Sequence, residues 1–395
     1  MRRLLLSLAL LVAPLMGQTR PLLLEGADHL SVSKSEGVIL LQGNVRFKHD
    51  EARFTTSRAQ WDRTHDLVRC QGGFHYLSND GELRAQSGLY ERKNEQVTAE
   101  GAAELRDSLN QTLLYGNQVV YQRKEEKARA VGNARLVFIE ADSTQKGVLK
   151  WDTLVITAQR FEIDRKEKTA KALRDVFVTR GDLRVWCDTG TYRWEEGVLN
   201  LLGSPRASVG DVDVSGGKMR VEMEKNERKL KRIRVEVEAR GKQRALDVET
   251  NGFQNSEVDG DTIEAWFNGK EILAFEARGE AAGRFYPENR DQMIDQVKGD
   301  FLRLDFKQGE PDQGVVRGGA KTLYYHFDEE RLEGRNEALG EVVFLGFDQK
   351  KLKTIRLGGA ERGKIATGIY YGEVKKPRKE VDETEGENNL DREPD

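Results

Sequence analysis

The chain has 395 residues, 33% of them charged and 37% hydrophobic, and its 64 basic and 67 acidic residues are intermixed to a net charge of −3. That balance gives no basic field to draw a polyanion, which disfavours nucleic acid as a partner. So polar a composition suits a narrow structure in which every strand gives half its side chains to solvent.

At the N-terminus Arg2 and Arg3 precede an apolar run from Leu4 to Met16 and a small residue, Gly17. This is the pattern of a secretory signal over residues 1–17. The run of 13 residues is shorter than the roughly 20 that span a bilayer, so an exported, soluble chain is expected, with a retained signal anchor as the alternative.

The stretch Ile39 to Phe47 sets the pattern of the whole chain. Ile39, Leu41, Val45 and Phe47 alternate with Gln42, Asn44 and Arg46 around Gly43, the period of a strand with one apolar face. The register returns around Gly72 (Val68, Cys70, Phe74, Tyr76), Gly101 (Val97, Ala99, Ala103, Leu105) and Gly132 (Ala128, Ala130, Ala134, Leu136), at spacings of 29, 29 and 31 residues. It recurs around Arg174 (Ala170, Ala172, Val176, Val178) and Gly203 (Leu199, Leu201, Pro205, Ala207), and more loosely around Gly279 and Gly340 (Ala338, Val342, Phe344). A second marker, an aromatic followed by a polar residue, runs in counterphase: Trp61-Asp62, Tyr90-Glu91, Tyr121-Gln122, Trp151-Asp152 and Tyr192-Arg193. Two interleaved markers with one period specify a repeat architecture. Each glycine by itself reads as a bulge or a crowded inward position, and each aromatic as core or strand-end packing in preference to a carbohydrate platform.

Asp-Gly at 80–81, between alternating segments, signals a hairpin, so antiparallel neighbours and an all-β fold are expected. Residues 140–147 read as a longer polar loop, and the charge run at 224–232 as solvated strand tips. The register weakens near residue 245, which divides the chain into residues 18–244 and a more divergent unit or continuation over 245–372. Residues 373–395 have no apolar pattern and are expected to be a disordered charged tail. Cys70 and Cys187 read as two buried thiols.

Catalytic signatures do not emerge. The five histidines (His29, His49, His65, His75, His326) are scattered without metal-ligand spacing, and no nucleophile elbow, phosphate loop or HExxH motif occurs. The expectation is a protein that is not an enzyme and holds no cofactor or metal.

The series Leu41-x-Gly43-Asn44-Val45, Ser57-Arg58-Ala59-Gln60-Trp61-Asp62, Gly88-Leu89-Tyr90-Glu91, Gly132-Asn133-Ala134 and Ile156 to Asp164 resembles the LptA/OstA-like family of periplasmic lipopolysaccharide-transport proteins, from about Leu24 to Ala239. The resemblance implies a folded-over antiparallel β-jellyroll in the periplasm whose apolar interior holds the acyl chains of lipid A. It also implies end strands that pair with other jellyrolls of the transport bridge or, head to tail, with further copies. On that reading Leu41, Val45, Phe47, Phe74, Val97, Leu105, Leu136, Val176 and Val178 would face lipid, and strands near Leu30 and Tyr370 would dock to partners. The many inward alanines favour space for a ligand, although the same positions would also make an ordinary dry core. The alternatives are an exported β-solenoid or adhesin-like structural protein without lipid cargo and, further off, a polysaccharide-active enzyme.

Overall fold

The computed structural model describes residues 20–33, 37–142, 150–224, 229–247, 252–288, 293–328, 331–348, 351–358 and 365–370. The signal sequence, most of the 140–147 loop and the charged tail lie outside the described residues. Edge segments β1 (Leu23–Gly26) and β2 (His29–Ser33) share the flank of β3 (Val38–His49). A meander comes next: β4 (Ala52–Asp62), β5 (Leu67–Ser78), β6 (Gly81–Glu91), β7 (Gln96–Asp107), β8 (Thr112–Gln122), β9 (Lys127–Asp142), β10 (Lys150–Asp164), β11 (Thr169–Arg180) and β12 (Leu183–Arg193). The next two full-length strands are each split, into β13 (Val198–Leu202) with β14 (Arg206–Val209), and β15 (Val212–Ser215) with β16 (Lys218–Met223). Long strands resume with β17 (Leu230–Asp247), β18 (Gly252–Asn268), β19 (Glu271–Pro287), β20 (Asp295–Lys307), β21 (Glu310–Asp328) and β22 (Arg331–Asp348), and β23 (Lys351–Gly358) and β24 (Ile365–Tyr370) share the last flank.

The fold is thus all-β, one sheet in which each full strand is hydrogen-bonded to the one before it and every pairing is antiparallel. Pairing of β17 with β18 carries the ladder through residue 245 without a gap.

The repeated glycines create the fold line. In the middle of each odd-numbered strand of the meander two consecutive residues take positive φ: Gly43-Asn44, Gly72-Gly73, Gly101-Ala102, Gly132-Asn133, Arg174-Asp175, then Gly203-Ser204, Val237-Glu238, Gly279-Glu280 and Gly318-Gly319. Each pair opposes one residue of the neighbouring strand, as Gly43-Asn44 and Gly72-Gly73 both do with Ser57, which is the definition of a β-bulge. The bulges align across the sheet, so every strand bends at the same height and the sheet doubles over into two layers. Across the bend the inward series steps by four on odd strands (Leu41 to Val45) and by three on even ones (Thr56 to Ala59), keeping apolar side chains inside on both arms.

The bulge glycines also meet polar side chains on the adjacent strand. A Cβ on Gly101 would lie 2.5 Å from Gln86 Oε1, one on Gly132 2.7 Å from Asn117 Nδ2, and Ser57 Oγ donates to Gly72 O at 2.5 Å.

Three sequence expectations are corrected. Gly340 is not a fold-line glycine: it lies on an even strand without positive φ, and after the three-residue step the inward residues are Val343 and Leu345, while Phe344 faces out. Trp151 does not continue the aromatic series, since it pairs with Ala141 at the opposite end of β10; the equivalent position is Phe161, fully buried against Ala130 and Ala172. The longer β9–β10 excursion displaced the count. Fold-line pairs at Val237-Glu238 and Gly318-Gly319 carry no marker of the earlier period.

Most of the charge lies on the outer face as cross-strand ladders, with Arg232 bridging Glu222 and Glu264, and Arg303 reaching Glu276. Cys70 and Cys187 are buried free thiols. Replacing Gly132 with Ala is expected to lower the urea-denaturation free energy by about 1–2 kcal/mol through the left-handed backbone. Gly340→Ala, with ordinary φ and only the flexible Leu357 Cδ2 at 3.2 Å from the added Cβ, is expected to cost less than Gly132→Ala.

Candidate functional site

Among the described residues, the interior between the layers is the extended apolar environment that this sequence pattern builds. All nine sequence-predicted interior residues, from Leu41 to Val178, face it with relative exposure between 0 and 7%. They belong to a single hydrophobic cluster that runs from Leu22 to Leu352. The structure therefore brings together residues up to 137 positions apart along a common inside surface.

Rings from the two layers meet there. Phe47 stacks on its cross-strand neighbour Phe54 at 5.0 Å and meets Trp61, from the other arm, edge-on at 5.5 Å. Further along, Phe54 meets Tyr90 at 4.8 Å, Tyr76 meets Tyr121 at 6.4 Å and Phe138 meets Tyr192 at 5.0 Å. The aromatic markers Tyr90, Tyr121 and Tyr192 are buried core residues, not exposed platforms. These rings fill much of the interlayer space in the first half of the chain, so any long ligand must part the layers to lie between them.

The cover is incomplete at the edges of the sheet. Leu30 and Val32 pair with Leu41 and Ile39 and so share their inward face, yet they are 54% and 56% exposed. At the far edge Ile355 and Leu357, on the inward face of β23, are only half-buried.

Its long side is closed differently. Hairpins at 49–52, 78–81 and 107–112 form one rim, and hairpins at 62–67, 91–96, 122–127 and 164–169 form the other; folding brings the two rims together. Arg123 crosses to Asp50 at 3.3 Å and also holds Glu95 at 3.0 Å. Arg165 crosses to Asp107 at 2.9 Å and to Asp80 at 4.0 Å. Arg92 pairs with Asp66 at 2.6 Å on its own rim and donates to Arg20 O at 3.2 Å. Beneath these ions lies a layer of phenols: Arg165 Nη1 donates to Tyr121 OH at 2.9 Å, and Tyr90 OH lies 2.6 Å from His49 Nδ1. In the second half Tyr324 OH donates to Leu352 O at 3.4 Å, again from one arm to the other.

The electrostatics result from this placement. Burial raises the cost of ionising Glu95, but hydrogen bonds and charge from Lys124 and Arg123 outweigh it and hold the carboxyl below its ordinary range. Hydrogen bonds from Arg92 do the same for Asp66. Burial keeps His49 below its usual value, against its hydrogen bond to the Arg20 carbonyl. On the outer face a cleft of about 800 Å³ runs along the fold line from Arg206 to Arg284, where Lys242 pairs with Glu257 at 2.7 Å and Arg206 with Asp213 at 3.0 Å. No group of three or more His, Cys, Asp or Glu is placed to hold a metal ion among the described residues.

Sequence reasoning missed the rim arginines. Their signal was present: Arg63, Arg92 and Arg123 each stand two residues after an aromatic marker, and Arg165 four after Phe161.

No family model and no curated protein matches the sequence. Among solved structures, the chain is similar to LptH of Pseudomonas aeruginosa, the LptA-homologous periplasmic component of the conserved lipopolysaccharide transport device. The two are 15% identical over 34% of this chain and 94% of that one, with a TM-score of 0.27.

Arg123→Gln is expected to lower stability at pH 7 by about 1–2 kcal/mol, because it removes the guanidinium that Asp50 and Glu95 share across the seam and leaves them only the more exposed Arg20 and Lys124. Since the folded-state value of Glu95 lies below its unfolded one, this stabilisation is fully present above about pH 4.5 and is lost as pH falls through the depressed value. Denaturation at pH 7 and pH 3 should therefore show the mutational cost shrinking in acid.

Proposed function

We propose that this protein is a non-enzymatic periplasmic carrier that binds lipopolysaccharide, shields the acyl chains of lipid A between its two sheet layers, and forms part of a bridge towards the outer membrane. The observation that carries this reading is an apolar interior that runs the length of the meander and remains uncovered at the edge strands. A closed core has no use for inward leucine and valine at half exposure on the edge strand β2. A second molecule added there would cover Leu30 and Val32 and extend the sheet beyond β2. β24, which ends at Tyr370, presents the opposite flank for the same kind of pairing.

Energetics set the demand on such an interior. Burying a 12-carbon acyl chain contributes on the order of 10 kcal/mol at about 0.8 kcal/mol per CH₂. A chain leaving a membrane needs nearly all of that replaced, so several chains must be sheltered together along a continuous surface. The small inward residues Ala99, Ala103, Ala128, Ala130 and Ala134 leave the layers room to shift around them.

An exported structural protein without cargo is the second reading, favoured by the close ring packing of Phe47, Phe54, Tyr76 and Tyr90. Photo-reactive residues at positions 47 and 136 distinguish the two. Lipopolysaccharide crosslinked from these inward sites and not from outward position 46 is the expected result. Capture only from position 46, together with purified protein free of lipid by mass spectrometry, would leave the structural reading.

A further inference from the structure

We infer that the rim-to-rim seam is the loading side of the interior and that Arg123 and Arg165 are the binding site for the phosphate headgroup of an acylated lipid. This rests on the lipid-carrying reading and adds to it where the polar end of the ligand sits.

The geometry allows few ways into the space between the layers. The fold line is closed by continuous backbone and its hydrogen-bonded ladder. The edges admit a chain only lengthwise, and pairing with another molecule would cover them. Along the rims, however, the layers are joined by side chains alone. The ion pairs that cross there run from Arg123 and Arg165 on one rim to Asp50, Asp80 and Asp107 on the other.

Passing outward from the core, the wall changes from aliphatic and phenyl groups to the hydroxyls of Tyr90 and Tyr121, and then to guanidinium groups. That is the polarity sequence of an anionic amphiphile read from tail to head. A headgroup phosphate cannot follow its chains into the interior, because desolvating it without partners is prohibitive. At the seam it meets planar donors suited to a phosphate, held until then by carboxylates. Loading thus exchanges one set of anions for another: the arginines keep a partner throughout, Asp50 keeps its pairing with Arg20, and Asp107 keeps the hydrogen bonds it accepts from Leu109 and Asn110.

The seam arginines are only 9–17% exposed and already oriented by Glu95 and Tyr121, so little ordering remains to be done when the exchange occurs. Asp50 sits in a left-handed turn with φ of 57°, a conformation asparagine adopts readily. An Asp50→Asn change therefore removes the competing charge with little disturbance of the hairpin.

The test is equilibrium binding of diphosphoryl lipid A and of its monophosphoryl form to the full chain. Wild-type protein is expected to prefer the diphosphoryl form. The Arg123→Gln, Arg165→Gln double variant should bind that form at least about tenfold more weakly and lose the preference, the size expected for losing charge-assisted hydrogen bonds. Asp50→Asn should bind it more tightly, by about threefold, an effect opposite in sign to damage to the fold. If the double variant, shown folded by circular dichroism, binds both forms as wild type does, the headgroup site lies elsewhere and the carrier reading stands. If Asp50→Asn weakens binding in step with a lower melting temperature, the seam is structural only. Wild-type protein that binds neither form overturns the inference and the carrier reading together.

Discussion

Everything in this molecule depends on one backbone device, the pair of left-handed residues that interrupts each odd strand at the same height. Two residues facing one force the ladder to bend, and because the bulges stack, the bend is shared by the whole sheet. The apolar face of a single meander then becomes the inner surface of a double layer. The hairpins at the two ends of the strands become opposed rims, and charges that would be ordinary turn residues in a flat sheet are brought within hydrogen-bonding distance of each other.

The device is costly at several positions. Left-handed backbone disfavours a side chain by roughly 1–2 kcal/mol, yet Ala102, Asp175, Val237 and Glu238 adopt it. Such a conformation persists only where its surroundings over-determine it. Here each bulge is held on both flanks by long antiparallel pairings, and by polar contacts such as Gln159 Nε2 to Asp175 Oδ2 at 3.3 Å. In a repeat stack each strand is stabilised by its neighbours, so one poor position is carried by the registers beside it.

This explains what could be read in the sequence. Glycines 43, 72, 101 and 132 were legible because the first bulge position there is the residue type that left-handed backbone favours most strongly, and because hydrophobic alternation resumes on either side. Val237-Glu238 was not, since neighbouring strands impose the same conformation on residues that do not advertise it. Phe161 escaped because a longer hairpin moved it out of step, leaving Trp151 at the expected count but at the wrong end of its strand. Phe344 was assigned to the wrong face because even strands cross the fold line in three residues and odd ones in four. The inside residues Leu41 to Val178 were plain from alternation; the seam was not, because Arg123 and Asp50 are 73 residues apart and each looks like a solvated turn charge until the sheet is folded.

The picture that results is of two layers joined covalently along one side and by ion pairs along the other; on the proposed carrier reading, the layers move apart to admit a ligand. Spin labels at positions 51 and 93, on opposite rims, in a background without Cys70 and Cys187, measure that movement directly. Addition of lipopolysaccharide is expected to lengthen the distance between the labels. An unchanged distance under conditions where lipid is bound would contradict the account, since it would mean that the ligand never enters between the layers.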